Sequence, residues 1–216
     1  RAIMKLKINE IFHSIQGESS YTGLPCIFIR LTYCNLRCSY CDTEYAFYEG
    51  KDIAIDDIIL KVNEYKTKLV EVTGGEPLIQ DGCIDLLYKL VKNGNDVLIE
   101  TGGALSIKKI PKEVIIILDI KCPSSNMSDK NLWSNINLLK KEDQIKFVIG
   151  DRNDYEWTKK IITKYNLNHK CEILFSPVFD KIEPKKIVDW IIEDDLNVRF
   201  QLQIHKFIWE PEKKGV

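Results

Sequence analysis

Short runs rich in Val and Ile recur along the chain, and most of them lead into a stretch with helical spacing. Residues 5–13 read as a strand, with Leu6, Ile8, Ile11 and Phe12 supplying its apolar content. Further strands are expected at 26–32, 69–73, 97–101, 114–119, 145–149, 171–175 and 198–204. Between them, residues 55–68 place Ile55, Ile58, Ile59, Val62 and Tyr65 on one helical face, with Asp56 and Asp57 in the first turn, where negative charge suits the helix dipole. Residues 83–93 repeat the pattern with Ile84, Leu87, Tyr88 and Val91, and Gly94 is a natural stop. Helices are also expected over 129–141, 153–166 and 184–195. Strands that each feed an amphipathic helix point to a parallel sheet covered by helices. Six or seven such strands curve into a barrel or an open part-barrel, so the expected class is α/β, a condensed partial (β/α) barrel with mostly parallel strands.

In such folds ligands bind at the carboxyl ends of the strands. The polar residues that interrupt this sequence fall there. Cys34 follows the second strand, Thr73-Gly74-Gly75-Glu76 the third and Glu100-Thr101-Gly102-Gly103 the fourth. Asp119 and Lys121-Cys122-Pro123-Ser124-Ser125 follow the fifth, Ser176-Pro177 the seventh and His205 the last. Their coincidence on one rim argues for an enzyme. Arg30 is a charge inside an apolar strand: either a solvated or snorkelling arginine, or a fixed guanidinium aimed at an anion. Its position favours the second. The glycines of Gly74-Gly75-Glu76-Pro77 allow close backbone approach to a ligand, with Glu76 able to accept from an ammonium; the plain alternative is turn geometry alone.

The loop after the second strand reads Cys34-Asn35-Leu36-Arg37-Cys38-Ser39-Tyr40-Cys41-Asp42-Thr43, a C-x-x-x-C-x-x-C spacing. The other four cysteines, Cys26, Cys83, Cys122 and Cys171, stand singly. A closed zinc site wants four ligands, usually in two pairs, and no second pair exists. Three thiolates suit an iron–sulfur cluster with one iron left open for a substrate or cofactor; the plain alternative is three buried or reactive thiols with no metal.

With 216 residues, 44% of them hydrophobic, the chain can bury one substantial core, and 4–216 reads as a single domain. Arg1-Ala2-Ile3 precede Met4, a fitting initiator, and read as residues added ahead of the natural start. A net charge of −1 gives no electrostatic case for nucleic acid or an anionic membrane. No apolar run approaches the ~20 residues of a spanning helix, and no signal peptide is read. Seven unpaired-looking cysteines fit a reducing cytoplasm.

The cysteine spacing, with the aromatic Tyr40 before the last thiol, resembles the radical S-adenosylmethionine (SAM) superfamily. A narrower resemblance is to the 7-carboxy-7-deazaguanine synthase family of the queuosine and deazapurine pathway. It is carried by Phe12-His13-Ser14-Ile15-Gln16-Gly17-Glu18-Ser19, by Cys41-Asp42-Thr43, by Thr73-Gly74-Gly75-Glu76-Pro77 and by Gln203-Ile204-His205-Lys206-Phe207-Ile208-Trp209. One departure is Glu100-Thr101-Gly102-Gly103, where that family often has Glu-Thr-Asn-Gly.

The resemblance implies ring contraction of 6-carboxy-5,6,7,8-tetrahydropterin to 7-carboxy-7-deazaguanine with loss of ammonia. A 4Fe-4S cluster on Cys34, Cys38 and Cys41 would split SAM into methionine and a 5′-deoxyadenosyl radical that takes hydrogen from C6; hydrogen would later return and regenerate SAM. It implies Mg2+ on Thr43, whose plain reading is a turn hydroxyl. SAM contacts are implied for Tyr40, Asp42, Gly75, Glu76, Lys121, Ser124, Ser125, Ser176, Pro177, Val178 and Phe179. Substrate contacts are implied for Ile15, Gln16, Gly17, Glu18, Arg30, Thr73, His205 and the carboxylate of Val216. A homodimer and a flavodoxin or ferredoxin-type reductant are implied as well. The rivals are another radical SAM enzyme, such as one that activates a glycyl-radical partner, and a zinc-bearing binding module.

Overall fold

The Val- and Ile-rich runs form one sheet. A computed structural model describes residues 4–216, so the reading of Arg1-Ala2-Ile3 lies outside the described residues. Strands β1 (Lys5–Ile15), β2 (Pro25–Leu31), β3 (Lys51–Ala54), β4 (Leu69–Gly74), β5 (Asp96–Thr101), β6 (Ile115–Ile120), β7 (Gln144–Ile149), β8 (Glu172–Pro177) and β9 (Arg199–Phe200) pair in the order β3-β1-β2-β4-β5-β6-β7-β8-β9. β1 is antiparallel to β2 and β3, and every pair from β2 across to β9 is parallel. The order has two ends, so the sheet is an open part-barrel. The expected α/β class with mostly parallel strands holds.

Side chains alternate along each strand with period two, and this places the site. Ile27 and Ile29, Val70 and Val72, Val97 and Ile99, Ile116 and Leu118, and Ile145 and Phe147 point outward into the main core. There they meet α1 (Ile55–Val62), α2 (Cys83–Lys92), α3 (Arg152–Tyr165) and α4 (Pro184–Glu193) through Ile58, Leu86, Leu87, Tyr155 and Ile187. Burying each such side chain contributes about 1.5–3 kcal/mol. The inward positions differ in kind. At the bottom Cys26, Phe28, Leu69, Leu98 and Ile117 form a second, smaller apolar cluster. Towards the carboxyl ends the inward positions of the same strands carry Arg30, Thr73, Glu100 and Asp119, and β7 adds Lys146.

Three expected elements are corrected. The helix over 129–141 is absent; Ser128–Lys130 and Trp133–Leu138 are 3-10 turns. Asn side chains hold the backbone there instead. Buried Asn135 donates to the carbonyls of Gly103 (3.2 Å) and Leu105 (2.8 Å) and accepts from the N–H of Ile107 (3.2 Å). Asn131 brackets Lys121 in the same way, at 2.9 Å on both sides. The strand over 198–204 shrinks to Arg199–Phe200 because the next residues leave the sheet to reach the β1–β2 loop. Helix α1 ends at Val62, capped by Asn63, well before residue 68. The sequence reading also lacked β3 and the short α5 (His205–Ile208). No helix among the described residues is long and apolar enough to cross a membrane.

Candidate active site

The cysteine loop is built by its neighbours. It leaves β2 at Tyr33, whose N–H donates to the carbonyl of Ala46 (2.9 Å) and whose carbonyl accepts from Glu76 N–H (2.7 Å). At its far end the Ser39 N–H and hydroxyl donate to the carbonyls of Ser125 (3.0 Å) and Ser124 (2.6 Å). Arg37 donates to the carbonyls of Cys34 (2.8 Å) and Leu36 (2.6 Å) while its guanidinium lies 4.2 Å from the Phe47 ring centroid. The loop also explains the glycine pair. A Cβ on Gly74 would lie 2.2 Å from the Leu31 carbonyl oxygen, and one on Gly75 would lie 2.2 Å from that of Tyr33 and 2.8 Å from Cys34 Cβ. The glycines let the end of β4 press against the base of the cysteine loop, whatever else they admit.

Cys34, Cys38 and Cys41 all line one cavity of about 660 Å3, and none of the cysteines is in a disulfide. No three His, Cys, Asp or Glu side chains among the described residues converge as a single ion requires. Three thiols on a cavity that no fourth cysteine lines suit a cluster, whose cysteines bond different irons and leave one iron open, better than a closed four-ligand zinc site. Burial pushes the Cys38 thiol up to about 11, Lys121 offsetting only part of the effect, so a cluster held there would take the place of a thiol proton. Thr43 lines the same cavity, and its hydroxyl makes no capping bond to the 3-10 turn it precedes, Glu44–Phe47.

The same cavity has a charged floor. Lys146 is 6% exposed; its Nζ donates to Glu18 Oε2 (3.0 Å) and to Glu100, with Asp119 Oδ2 at 3.6 Å. Asp119 also accepts from Lys121 (2.9 Å). Burial works against the Lys146 charge, but Glu100, Glu18 and Asp119 outweigh it and hold its pKa well above the ordinary lysine value. Burial likewise opposes the Glu18 charge, and Lys146, Gln203 and His205 together bring its pKa below normal. Arg30 donates from Nε to Glu10 Oε1 (2.8 Å), which Tyr45 also holds (2.9 Å), so the guanidinium is fixed at the cavity wall. The loop over 15–18 is tied to the end of the chain: Gly17 O accepts from Ile204 N–H (3.0 Å), Gln203 donates to Glu18 (2.8 Å), and a Cβ on Gly17 would collide with the His205 ring.

The cavity thus brings together most residues expected at a site. Ile15, Gln16, Gly17, Glu18, Arg30, Thr73, His205 and Val216 line it, as do Tyr40, Asp42, Gly75, Lys121, Pro177, Val178 and Phe179. Four side chains expected at SAM sit behind the wall instead. Glu76 is fully buried and accepts from Thr101 Oγ1 (2.9 Å), Gly102 N–H (2.8 Å) and Leu78 N–H (3.0 Å), so it braces a turn and is not open to an ammonium. Ser124 donates to buried Asp154, Ser125 to the Cys122 carbonyl (2.6 Å), and Ser176 accepts from Gln201 (2.9 Å). His205 opens α5 rather than ending a strand. Sequence reasoning passed over Glu71, Lys146 and Gln203. The inward, alternating positions of Glu71 and Lys146 in apolar strands were the available signal.

An open parallel sheet with three cysteines in the loop after its first parallel strand, all facing a polar cavity, defines a class. The family described as the Radical SAM superfamily matches residues 28–166. The solved structure of QueE from Escherichia coli shares the fold, with a TM-score of 0.77 at 23% identity, covering 92% of this chain and 94% of that one. The chain is therefore a member of the radical SAM superfamily. A relative from Koribacter versatilis, a 7-carboxy-7-deazaguanine synthase, is 44% identical over 226 residues, covering 98% of this chain and all of its own. Another of that name from Chlorobaculum tepidum is 44% identical over 214 residues, covering 98% and 97%. Within the superfamily, this chain belongs to the 7-carboxy-7-deazaguanine synthase family.

Proposed function

We propose that the protein contracts the ring of 6-carboxy-5,6,7,8-tetrahydropterin to give 7-carboxy-7-deazaguanine with loss of ammonia, in queuosine precursor biosynthesis. One observation carries the reading beyond family membership: the cysteine loop and the charged floor around Glu18 and Lys146 face the same cavity, whose volume of about 660 Å3 suits small-molecule ligands. An enzyme that activates a glycyl-radical partner needs the cysteines but has no use for that floor.

Cys34, Cys38 and Cys41 would hold a 4Fe-4S cluster, with the remaining iron left for SAM. When bound, the cluster and SAM supply one-electron hydrogen-atom abstraction at a substrate carbon. The chain's own residues bind and orient. Arg30, braced by Glu10, presents a fixed guanidinium suited to the substrate carboxylate. Glu18, kept ionised by Lys146, suits the N–H groups of the pterin's guanidine-like edge. His205 packs on Gly17 and fixes the loop that carries Gln16 and Glu18. Thr43 offers a hydroxyl for Mg2+ beside that carboxylate, and the Val216 carboxylate is a further substrate contact. Pro177, Val178 and Phe179 form the wall where the adenosine end of SAM would lie. We read 4–216 as one radical SAM domain of a cytoplasmic homodimer, reduced by a flavodoxin or ferredoxin-type protein.

The cluster assignment is tested without turnover. Anaerobically prepared protein should be brown, with iron and sulfide each at about four per chain, as a cubane requires. Cys38→Ala should lose both while its far-UV circular dichroism stays unchanged. A colourless wild-type protein holding one zinc, or full iron retention in the variant, contradicts the assignment.

A further inference from the structure

Glu71 stands apart from the other charges of the cavity. It occupies an inward position of β4, where the sheet register sets it beside Phe28 of β2 and Leu98 of β5. It therefore lies in the apolar layer, one step deeper than Thr73. It is 3% exposed and yet lines the cavity. Gln16 Nε2 donates to its Oε2, and Gln16 Oε1 in turn accepts from the Glu18 N–H at 2.9 Å. Among the described residues Oε1 of Glu71 has no hydrogen-bond partner, and no cation pairs with the carboxyl group. Lys146 is shared by Glu18 and Glu100, and Arg30 is held by Glu10. Asp119 also faces Lys146 at 3.6 Å and is paired with Lys121, so of the four carboxyl groups of the floor Glu71 alone is left without a cation among the described residues.

We propose that Glu71 is a specificity-determining residue: clamped by Gln16, it acts as a neutral acid that donates from Oε1 to the ring carbonyl of the pterin's pyrimidine edge, while ionised Glu18 accepts from the adjacent N–H groups. The inference rests on the carboxypterin reading of the site and adds to it the part of the substrate that is read. A 2-amino-4-oxopyrimidine edge presents N–H donors next to a carbonyl acceptor. Ionised carboxylates alone satisfy the donors and repel the carbonyl; one neutral carboxyl beside an ionised one matches both. The groups facing Glu71 favour that division. Arg30 comes from β2, Glu100 from β5, Lys146 from β7 and Glu18 from the β1–β2 loop. Burial first, then repulsion by Glu100 and Glu18, raise the Glu71 pKa well above the carboxylate range, and Lys146 and Arg30 offset only part of this.

The test is equilibrium binding to the reconstituted, SAM-loaded protein, measured by anaerobic calorimetry. Two unreactive ligands are compared: oxidised 6-carboxypterin, and 2,4-diaminopteridine-6-carboxylate, in which an amino group replaces the ring carbonyl and the neighbouring N3 carries no hydrogen. Wild-type protein should prefer the pterin by about 10- to 100-fold, the range seen when a buried polar partner is left unmatched. Glu71→Gln, whose amide still donates, should keep the preference and bind the pterin within about threefold of wild type. Glu71→Leu should bind the pterin about tenfold or more weakly and show a clearly narrower preference, the remainder coming from Glu18, which finds no N3 hydrogen on the diamino ligand. Should Glu71→Leu not fold, the near-isosteric Gln variant decides alone: loss of preference in it overturns the proposal. So does a Leu variant with wild-type affinity and preference. Wild-type protein that binds neither ligand would sink the carboxypterin reading, and this inference with it, whereas wild-type binding with an indifferent position 71 sinks the inference alone.

Discussion

Lys146 sets the charge balance of the cavity floor, because Glu18, Glu100 and Asp119 all lie against its single ammonium. Lys146→Met keeps the volume and removes the charge, leaving buried carboxylates without their partner. Urea unfolding should show a loss of about 3–5 kcal/mol; a loss under about 1 kcal/mol would mean the cluster is more hydrated than its burial implies. Glu71 gives a pH dependence of defined sign. Its folded pKa is raised above the unfolded value near 4.3, so it destabilises the fold increasingly as pH rises from there towards the folded pKa. Glu71→Gln cannot ionise, so its melting temperature should gain on wild type from about pH 4.3 upward and show no such gain below. A melting difference that is the same at pH 4 and pH 8 contradicts a neutral Glu71. At this scale the sequence was only partly readable. Arg30 stood out as one charge in an apolar run, and its place in the cavity follows from that reasoning. Glu71 and Lys146 show the same local pattern, but their meaning depends on partners from four separate segments, which only the folded sheet assembles.

Strand β4 and its glycine pair connect the sheet to the cysteine loop. The close approach at Gly75 leaves no room for a side chain against the Tyr33 carbonyl. Gly75→Ala should push the base of the loop outward, lowering stability by about 1–3 kcal/mol and reducing iron retention together, as followed by melting and iron analysis. Normal iron content at normal stability would show that the loop does not depend on this contact. The parallel strands and the helices α2, α3 and α4 were legible because period and capping signals agreed along each segment. Asp151 accepts from Asp154 N–H (2.8 Å) at the start of α3, and Asn166 ends it in the left-handed region, a pair of ordinary stop and start signals. The segment over 129–141 misled because its apolar residues have helical spacing while Asn131 and Asn135 bind distant backbone. Side-chain bonds of that kind are long-range facts and leave no periodic trace. The strand expected at 198–204 failed for a related reason: past Gln201, which accepts from the Ser19 N–H (2.7 Å), the chain bonds to the β1–β2 loop, Ile204 N–H donating to the Gly17 carbonyl (3.0 Å).

Over the whole molecule, an open sheet leaves the carboxyl ends of its strands free to carry two chemistries on one cavity. The cysteine loop follows β2, the charged floor rises from β4, β5, β6 and β7, and the end of the chain returns to fix the Gln16-Gly17-Glu18 loop. That polar residues gather on one rim was visible from strand ends alone, and the motifs carried the family resemblance. Which polar side chains open into the cavity and which brace its wall was not, since Glu76, Ser124 and Ser176 occupy rim positions yet point into the packing behind it. The decisive measurement is anaerobic turnover of 6-carboxy-5,6,7,8-tetrahydropterin by the reconstituted protein with SAM, a low-potential reductant and Mg2+. The account predicts 7-carboxy-7-deazaguanine and ammonia in equal amounts, SAM not consumed, a rate that rises with magnesium, and a weakened magnesium response in Thr43→Ala. Consumption of SAM without the deazaguanine, or equal product from Cys38→Ala, would contradict it.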